Sequence, residues 1–197
     1  MTKGPRIGVF GGTFDPIHQA HVDVAAAAMR QVPLDQVLFM VSAMPPHKQG
    51  EVNASAEDRV AMVEAALASY PQFRCSRLEL DRDGPSYTAD TLRELQEAQP
   101  AAQLYLIIGY DAMLDLPRWR EPNAILKRAH IVVVPRLGYV QDVPHELRGR
   151  ITFLEFEPIE LSSTDVRECL VQGDCGARWV PPAVLQVIRD RHLYATR

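Results

Sequence analysis

Directly after a short apolar strand, the chain reads Gly11-Gly12-Thr13-Phe14-Asp15-Pro16-Ile17-His18-Gln19-Ala20-His21. The paired glycines allow a tight turn and a close approach of the main chain to a ligand. Asp15-Pro16 indicates a further turn, because the residue before a proline is pushed out of the helical region. A helix is predicted to begin near His18. The free amide groups and the dipole at its start favour a bound anion.

His18 and His21 are three residues apart, so a helix places both imidazoles on one face, one turn from the glycine loop. A glycine loop, a helix N-terminus and two imidazoles at one point suit a polyphosphate. Two other interpretations stay open: the glycines could form a simple turn, and the histidines with Asp15 could form a metal site. No further His or Cys cluster completes a metal site. The Gly-x-Gly-x-x-Gly fingerprint and the Gly-Lys-Ser/Thr of a P-loop are both absent from the sequence.

The composition is typical of a soluble globular protein. The 197 residues are 47% apolar and 23% charged, so residues 1–197 are predicted to form a single domain. The net charge of −4 argues against broad nucleic-acid binding. The longest apolar runs are strand-sized and no signal peptide is evident, which predicts a cytoplasmic protein without a membrane partner. The three cysteines, Cys75, Cys169 and Cys175, lack zinc-like spacing and are expected to be reduced thiols.

Apolar strands alternate with helical patterns along the chain. Strands are predicted at Arg6–Phe10, Gln36–Ser42, Phe73–Leu80, Leu104–Ile108, His130–Val134 and Ile151–Phe156. This alternation predicts an α/β fold, a Rossmann-like, doubly wound and mostly parallel sheet of five to six strands flanked by helices. Ligands of such sheets bind beyond the carboxyl ends of the strands, where the strand order reverses.

A second candidate phosphate site follows the sixth strand, at Ser162-Ser163-Thr164. These residues lie at a predicted helix start, and Arg167 follows one turn later on the same face. The spacing of these residues alone indicates an ordinary N-terminal helix cap. As a binding site, the same residues would hold a phosphate, with Arg167 providing two donors.

Both stretches resemble signatures of the nucleotidyltransferase superfamily with paired histidines. Residues 11–21 resemble Gly-Gly-Thr/Ser-Phe-Asp-Pro-x-His-x-Gly-His, with Ala20 in place of the usual glycine, and residues 161–167 resemble Ile-Ser-Ser-Thr-x-Ile/Val-Arg, with Leu161 as a mild departure. The middle of the chain is similar to the bacterial nicotinate-nucleotide adenylyltransferases. The stretches that carry this similarity are Pro45-Pro46-His47-Lys48, Tyr87-Thr88-x-Asp90-Thr91-Leu92, and Gly109-x-Asp111 followed by Leu116-x-x-Trp119.

The resemblance implies an enzyme of NAD biosynthesis that joins ATP and nicotinate mononucleotide into nicotinate adenine dinucleotide and releases pyrophosphate. The phosphate oxygen of the mononucleotide would attack the α-phosphorus of ATP, without a protein nucleophile. Catalysis would then consist of positioning and charge stabilisation. Mg²⁺ is the expected cofactor, held through phosphate oxygens and water rather than by protein ligands.

The resemblance also implies roles for the candidate residues. The expected catalytic residues are His18, His21, Arg167 and Lys48, with the histidines on the α- and neighbouring phosphates and Arg167 on the β/γ end. The expected ATP site comprises Gly11, Gly12, Thr13, Phe14, His18, His21, Gly109, Asp111, Ser162, Ser163, Thr164 and Arg167. The expected nicotinate-nucleotide site comprises Met44, His47, Lys48, Thr88 and Trp119, with Trp119 stacked on the pyridine ring.

Four alternatives stay open. The preference for nicotinate over nicotinamide mononucleotide rests on the resemblance alone. A phosphopantetheine adenylyltransferase would fit both end signatures but would leave Pro45–Lys48 and the block from Asp111 to Trp119 unexplained. A cytidylyltransferase is disfavoured because the Arg-Thr-x-Gly-Ile-Ser-Thr signature is absent from the sequence. A non-catalytic nucleotide-binding regulator is disfavoured by the intact histidines. No nucleic-acid partner is expected, and both a monomer and a homodimer are compatible with the sequence.

Overall fold

One parallel sheet organises the protein, whose computed structural model describes residues 4–43, 52–136, 143–157, 161–172 and 176–194. The strands run in the order β3-β2-β1-β4-β5-β6, and every pairing between these six strands is parallel. This architecture confirms the predicted Rossmann-like fold class. The strands are β1 Arg6–Gly12, β2 Gln36–Val41, β3 Phe73–Ser76, β4 Gln103–Gly109, β5 Ala129–Val134 and β6 Ile151–Phe153.

Helices cover both faces of the sheet. They are α1 Gln19–Gln31, α2 Ala56–Leu67, α3 Thr88–Ala98, α4 Tyr110–Asp115, α5 Pro122–Arg128, α6 Ser163–Val171, α7 Gly176–Trp179 and α8 Pro182–Asp190, with 3-10 turns at Leu116–Arg118 and His145–Leu147. None of the helices in the described part of the chain is long and apolar enough to cross a membrane.

The alternation of side chains along each strand divides the apolar core into two clusters. Val37 and Phe39 of β2 belong to a cluster with buried residues of α1, α2, α6 and α8. Ile7 and Val9 of β1 belong to a second cluster, with buried residues of α3, α4 and α5. The sheet is therefore a central layer, buried from both sides as an all-parallel sheet requires.

The strand order reverses between β1 and β4, which are neighbours in the sheet although two strands separate them in sequence. In such sheets the carboxyl ends of the two central strands diverge and leave a crevice for ligands. β1 ends in the glycine loop at Gly12, and β4 ends at Gly109. The fold thus brings the first signature to the edge of the sheet where ligands bind.

Two predicted strands are shorter in the structure. The third strand ends at Ser76 rather than Leu80, because the amides of Leu80 and Asp81 bond to the carbonyl of Arg77 and form a turn. The sixth ends at Phe153 rather than Phe156. There the amide of Glu155 donates to Oε1 of Gln31 at 2.7 Å, rather than to a main-chain carbonyl of a neighbouring strand. Local apolar composition does not reveal either competing hydrogen bond.

The expectation of reduced thiols is wrong for Cys169. Cys75 carries a free thiol, whereas Cys169 in α6 is disulfide-bonded. Cys175 lies outside the described residues. The spacing of the cysteines excluded a zinc site but carried no information about this disulfide.

Candidate active site

A cavity of about 890 Å³ lies at the carboxyl edge of the sheet, next to the point where the strand order reverses. Its walls come from the loops after β1 and β4, from the start of α1 and from the start of α6. The candidate residues that line it are Thr13, His18, His21, Gly109, Asp111, Ser162, Ser163, Thr164 and Arg167. Two stretches at opposite ends of the sequence therefore share one cavity.

The other three residues of the expected ATP site, Gly11, Gly12 and Phe14, are not among the described residues that line the cavity. The Phe14 side chain is buried in the core, where its ring centroid lies 5.1 Å from that of His21. A Cβ atom at Gly12 would lie 2.8 Å from the Phe14 ring, so the glycine is required for the ring to pack. At Gly11 a Cβ would meet nothing within 4 Å.

A buried arginine that the sequence analysis missed holds the loop after β1. Arg59 of α2 is 2% exposed, and its Nη1 atom donates to the carbonyls of Thr13 and Ser42, both at 2.8 Å. Burial lowers the pKa of this guanidinium. The sequence did contain a signal, because a cation in the first turn of a helix opposes the helix dipole and needs another reason to be there.

The two histidines lie against each other at the start of α1. Their ring centroids are 3.7 Å apart and the rings are inclined by 29°. The main-chain amide of His18 donates to Nδ1 of His21 at 3.2 Å. Because Nδ1 of His21 accepts this bond, the proton of the neutral ring belongs on Nε2. In this tautomer Nε2–H is the donor of the His21 ring.

His18 is more deeply buried, with 3% of its surface exposed. Burial lowers the pKa of His18 to about 4, and the nearby Asp165 carboxylate opposes this effect. The ring is therefore neutral at neutral pH. Its Nδ1 atom is buried and has no hydrogen-bond partner among the described residues. A buried polar atom without a partner is costly unless a ligand or water satisfies it.

The start of α6 is held by a capping box. Ser162 Oγ accepts from the amide of Asp165 at 3.1 Å, and Asp165 Oδ2 accepts from the amide and hydroxyl of Ser162 at 2.9 and 2.6 Å. The hydrogen bonds from Ser162 lower the pKa of Asp165. The Ser162 hydroxyl thus serves the helix cap, as spacing alone indicated.

The next residues of α6 bind the first signature directly. Ser163 Oγ donates to the carbonyl of Pro16 at 3.0 Å. Arg167 Nη1 donates to the carbonyl of Asp15 at 2.7 Å, and Arg167 Nη2 donates to Thr164 Oγ1 at 3.1 Å. The two signatures are therefore in contact, with Arg167 fixed at the junction.

Asp15 lies below this junction and is 2% exposed. Its carboxylate accepts from the amides of Asn53 and Ala54 at 2.7 and 3.1 Å, and from the Tyr194 hydroxyl at 2.6 Å. Burial and the bond to Asp15 raise the pKa of Tyr194 well above its ordinary value. Asp15 is thus a buried hydrogen-bonding centre, without the open coordination positions that a metal ligand needs. No pattern in the sequence connected it to Tyr194.

The opposite wall of the cavity carries an ion pair. Asp111, at the start of α4, pairs with Arg136, which follows β5. Both side chains are more than half exposed. Arg136 was not among the predicted site residues, although it also directly follows a strand end.

Two expected nicotinate-site residues, Thr88 and Trp119, are not among the described residues that line the cavity. Thr88 is the first residue of α3, and Trp119 follows the 3-10 turn after α4. Arg120 joins these two segments, with its guanidinium 4.6 Å from the ring centroid of Tyr87 and its Nη1 3.4 Å from Asp90 Oδ2. The remaining expected residues, Met44, His47 and Lys48, lie outside the described residues.

Comparison with known proteins identifies the family. The cytidylyltransferase-like family model matches residues 9–169. A probable nicotinate-nucleotide adenylyltransferase of Synechococcus sp. is 43% identical over 195 residues, which cover 96% of this chain and 94% of that protein. A protein of the same name from Thermus thermophilus is 43% identical over 190 residues, covering 96% and 99%.

The fold is shared with solved structures at lower identity. Plasmodium falciparum nicotinic acid mononucleotide adenylyltransferase complexed with NaAD superposes with a TM-score of 0.79 at 16% identity, over 96% of this chain and 97% of that one. The sequence relatives identify the family, and the solved structure shows the same fold. The chain belongs to the cytidylyltransferase-like family and, within it, to the nicotinate-nucleotide adenylyltransferases.

Proposed function

We propose that this protein is a cytoplasmic adenylyltransferase that joins ATP and nicotinate mononucleotide into nicotinate adenine dinucleotide and pyrophosphate. The observation that carries the proposal is the junction of the two signatures. Ser163 and Arg167 bond to the main chain of Asp15-Pro16 at the edge of a cavity that His18 and His21 also line. Donors from both signatures thus converge where a triphosphate can bind.

In this reaction a phosphate oxygen of the mononucleotide forms a bond to the α-phosphorus of ATP. The bond from that phosphorus to the oxygen bridging the α- and β-phosphates breaks, and pyrophosphate leaves with the electron pair. The protein needs to align the two reactants and to stabilise the charge that develops. Residues that bind phosphate without forming covalent bonds are sufficient for both tasks.

His21 is the group best placed to stabilise the charge on the α-phosphate. Its Nδ1 accepts the amide of His18, which directs the Nε2 proton to the other side of the ring. A preorganised donor of this kind contributes about 3 to 4 kcal/mol to the stabilisation of a transition state. The T-shaped contact with Phe14 holds the ring in position.

His18 is proposed to bind the triphosphate as a neutral donor at first. Its pKa of about 4 in the empty site is set by burial. The negative charge of a bound triphosphate raises the pKa of an adjacent imidazole. His18 therefore gains positive charge only when the ligand is present, and the empty site avoids a buried cation.

Arg167 is proposed to bind the β/γ end of ATP, together with the amide groups at the start of α6. Amides in the first turn of a helix have no partner within the helix. Arg167 is already held by the carbonyl of Asp15 and by Thr164 Oγ1, so little conformational entropy is lost on binding. The leaving pyrophosphate would stay bound to this arginine.

Mg²⁺ is proposed to bind through phosphate oxygens and water. Within the described part of the chain, no group of three or more His, Cys, Asp or Glu side chains could hold a metal. The carboxylates of Asp15 and Asp165 in the cavity are occupied by hydrogen bonds. The ion would neutralise charge on the phosphates when bound.

The remaining assignments follow the family resemblance. Gly109 and Asp111 are proposed to lie beside the nucleoside, with Asp111 bonding to sugar hydroxyls in place of Arg136. Thr88 and Trp119 are proposed to contact the nicotinate ring. Met44, His47 and Lys48 would complete the mononucleotide site, with Lys48 offsetting negative charge at the reaction centre.

The proposal is tested by measuring pyrophosphate release with ATP and Mg²⁺ and one second substrate at a time. Nicotinate mononucleotide, nicotinamide mononucleotide and phosphopantetheine are compared side by side, with Arg167→Ala as the inactive reference. Turnover with nicotinate mononucleotide well above the other two supports the proposal. A preference for nicotinamide mononucleotide would overturn the assigned substrate. Activity with phosphopantetheine alone would overturn the assigned subfamily. No pyrophosphate release with any of the three would favour a nucleotide-binding regulator.

A further inference from the structure

Tyr194 belongs to a turn after α8 and reaches the phosphate site from a distance of 179 positions in sequence. Its φ angle of 58° lies in the left-handed region, which is unfavourable for a residue with a side chain. The turn is docked on α2, where Arg191 Nη1 donates to Asp58 Oδ1 at 2.8 Å. Tertiary contacts rather than local preference therefore determine where the Tyr194 ring lies.

The Tyr194 hydroxyl acts as a hydrogen-bond donor to a carboxylate. It lies 2.6 Å from Asp15 Oδ1, and burial together with this bond raises the pKa of the phenol. The hydroxyl thus stays protonated over the whole range in which an enzyme operates. With the amides of Asn53 and Ala54, it provides the third donor to the Asp15 carboxylate.

Arg167 is close to the same carboxylate but is not fully engaged by it. Its Nη1 lies 4.0 Å from Asp15 Oδ2, whereas it lies 2.7 Å from the main-chain carbonyl of the same residue. A carboxylate that lost one of its neutral donors would attract this guanidinium more strongly. A direct pair between Asp15 and Arg167 would then compete with phosphate for the arginine.

We propose that Tyr194 is a positioning residue for the triphosphate. Its hydroxyl satisfies Asp15, so that Arg167 bonds to the main-chain carbonyl and keeps its charge for the β- and γ-phosphates. The inference rests on the proposed function, in which Arg167 binds that end of ATP. It assigns to this tyrosine a role in affinity for the triphosphate rather than in the adenosine subsite.

The test compares the binding of ATP and AMP by calorimetry to the wild-type protein, Tyr194→Phe and Tyr70→Phe. Tyr70 is a matched control, because its ring stacks on Phe73 at 5.1 Å, at the amino end of β3 and opposite the cavity. Tyr194→Phe should weaken ATP binding about tenfold, the effect of one charge-assisted hydrogen bond. Its affinity for AMP should change by less than about twofold, within ordinary scatter for a contact that is not involved. Tyr70→Phe should leave both affinities unchanged.

A double-mutant cycle with Arg167→Ala identifies the route of the effect. If Tyr194 acts through Arg167, the double variant should bind ATP no more weakly than Arg167→Ala alone. Calorimetry reports stoichiometry separately from the dissociation constant, so a partly unfolded sample does not imitate lost affinity. Equal weakening of ATP and AMP, unchanged ATP binding by Tyr194→Phe, or additive effects in the double variant would each overturn the proposal. A wild-type protein that does not bind ATP would overturn it together with the proposed function.

Discussion

Replacing His18 with glutamine should remove an acid-sensitive contribution to folding. His18 is buried, and its pKa falls to about 4 in the folded protein, against 6.5 for an ordinary histidine. The unfolded chain therefore takes up a proton at higher pH than the folded protein does. The stability associated with neutral His18 is complete above about pH 6.5 and is lost as the pH falls towards about 4.

The size of the effect follows from the two pKa values. Each pH unit between them changes the free energy of unfolding by about 1.4 kcal/mol. The full loss is then about 3 kcal/mol, reached once the pH is below the folded-state pKa. That is a substantial fraction of the roughly 5–15 kcal/mol that stabilises a typical domain.

The assay is chemical denaturation of the wild-type protein and His18→Gln at a series of pH values from neutral to about 4. The quantity of interest is the difference between their free energies of unfolding. Groups that do not interact with His18, including His130, whose pKa burial also lowers, titrate in both proteins and cancel in the difference. The difference should shift by about 3 kcal/mol in favour of the variant as the pH falls. His145→Gln, at an exposed position, is the control. A difference that is the same at neutral pH and at pH 4 would refute the assignment of a buried, neutral His18.

His21→Ala should keep the free energy of unfolding within about 1 kcal/mol of wild type and reduce pyrophosphate release by about two orders of magnitude or more; near-normal turnover would contradict its role on the α-phosphate. Gly12→Ala should cost about 1–3 kcal/mol in denaturation experiments, since its Cβ would lie 2.8 Å from the Phe14 ring, whereas Gly11→Ala meets nothing within 4 Å and should change stability little. Burial raises the pKa of Cys75 to about 11, so iodoacetamide should alkylate it about a hundredfold more slowly in the native protein than in the unfolded chain at pH 8. Equal alkylation rates would show that the native thiol is not protected.

The parts of the protein that sequence could predict are those with local signals. Val37 to Val41 forms an apolar run of strand length, and such a run located β2, whereas β3 consists of Phe73-Arg74-Cys75-Ser76 and contains no apolar run. The spacing of His18 and His21 predicted two imidazoles on one helix face; in the structure His18 is the extended N-cap of α1, and the two rings are in contact. The strand order, which the sequence did not predict, makes β1 and β4 neighbours and so brings the loops that follow them together. The positions of the motifs after strand ends therefore predicted the edge of the sheet at which the cavity lies, but not which loops form it.

The parts that could not be predicted depend on contacts between distant segments. The position of Arg59 in the first turn of α2 is unusual for a cation, but only the folded loops show that it holds two carbonyls. Tyr194 has no motif around it. Residues 78–80 contain apolar side chains suited to a strand, but a turn at Arg77 ends the strand first. In each case the contact that determines the structure is made with a residue distant in sequence or with a main-chain group, and a short stretch of sequence reveals neither.

The contact between Arg167 and Asp15 joins residues 152 positions apart, and the contact between Tyr194 and Asp15 spans 179. A polypeptide emerging from the ribosome exposes its first signature long before either partner has been synthesised. Until then, the histidine loop has neither the arginine nor the phenol that organise it, and long-range contacts of this kind form slowly. The ability to hold a nucleotide should therefore arise late in biogenesis, so that a prematurely terminated chain would contain the first signature and still be unable to bind ATP.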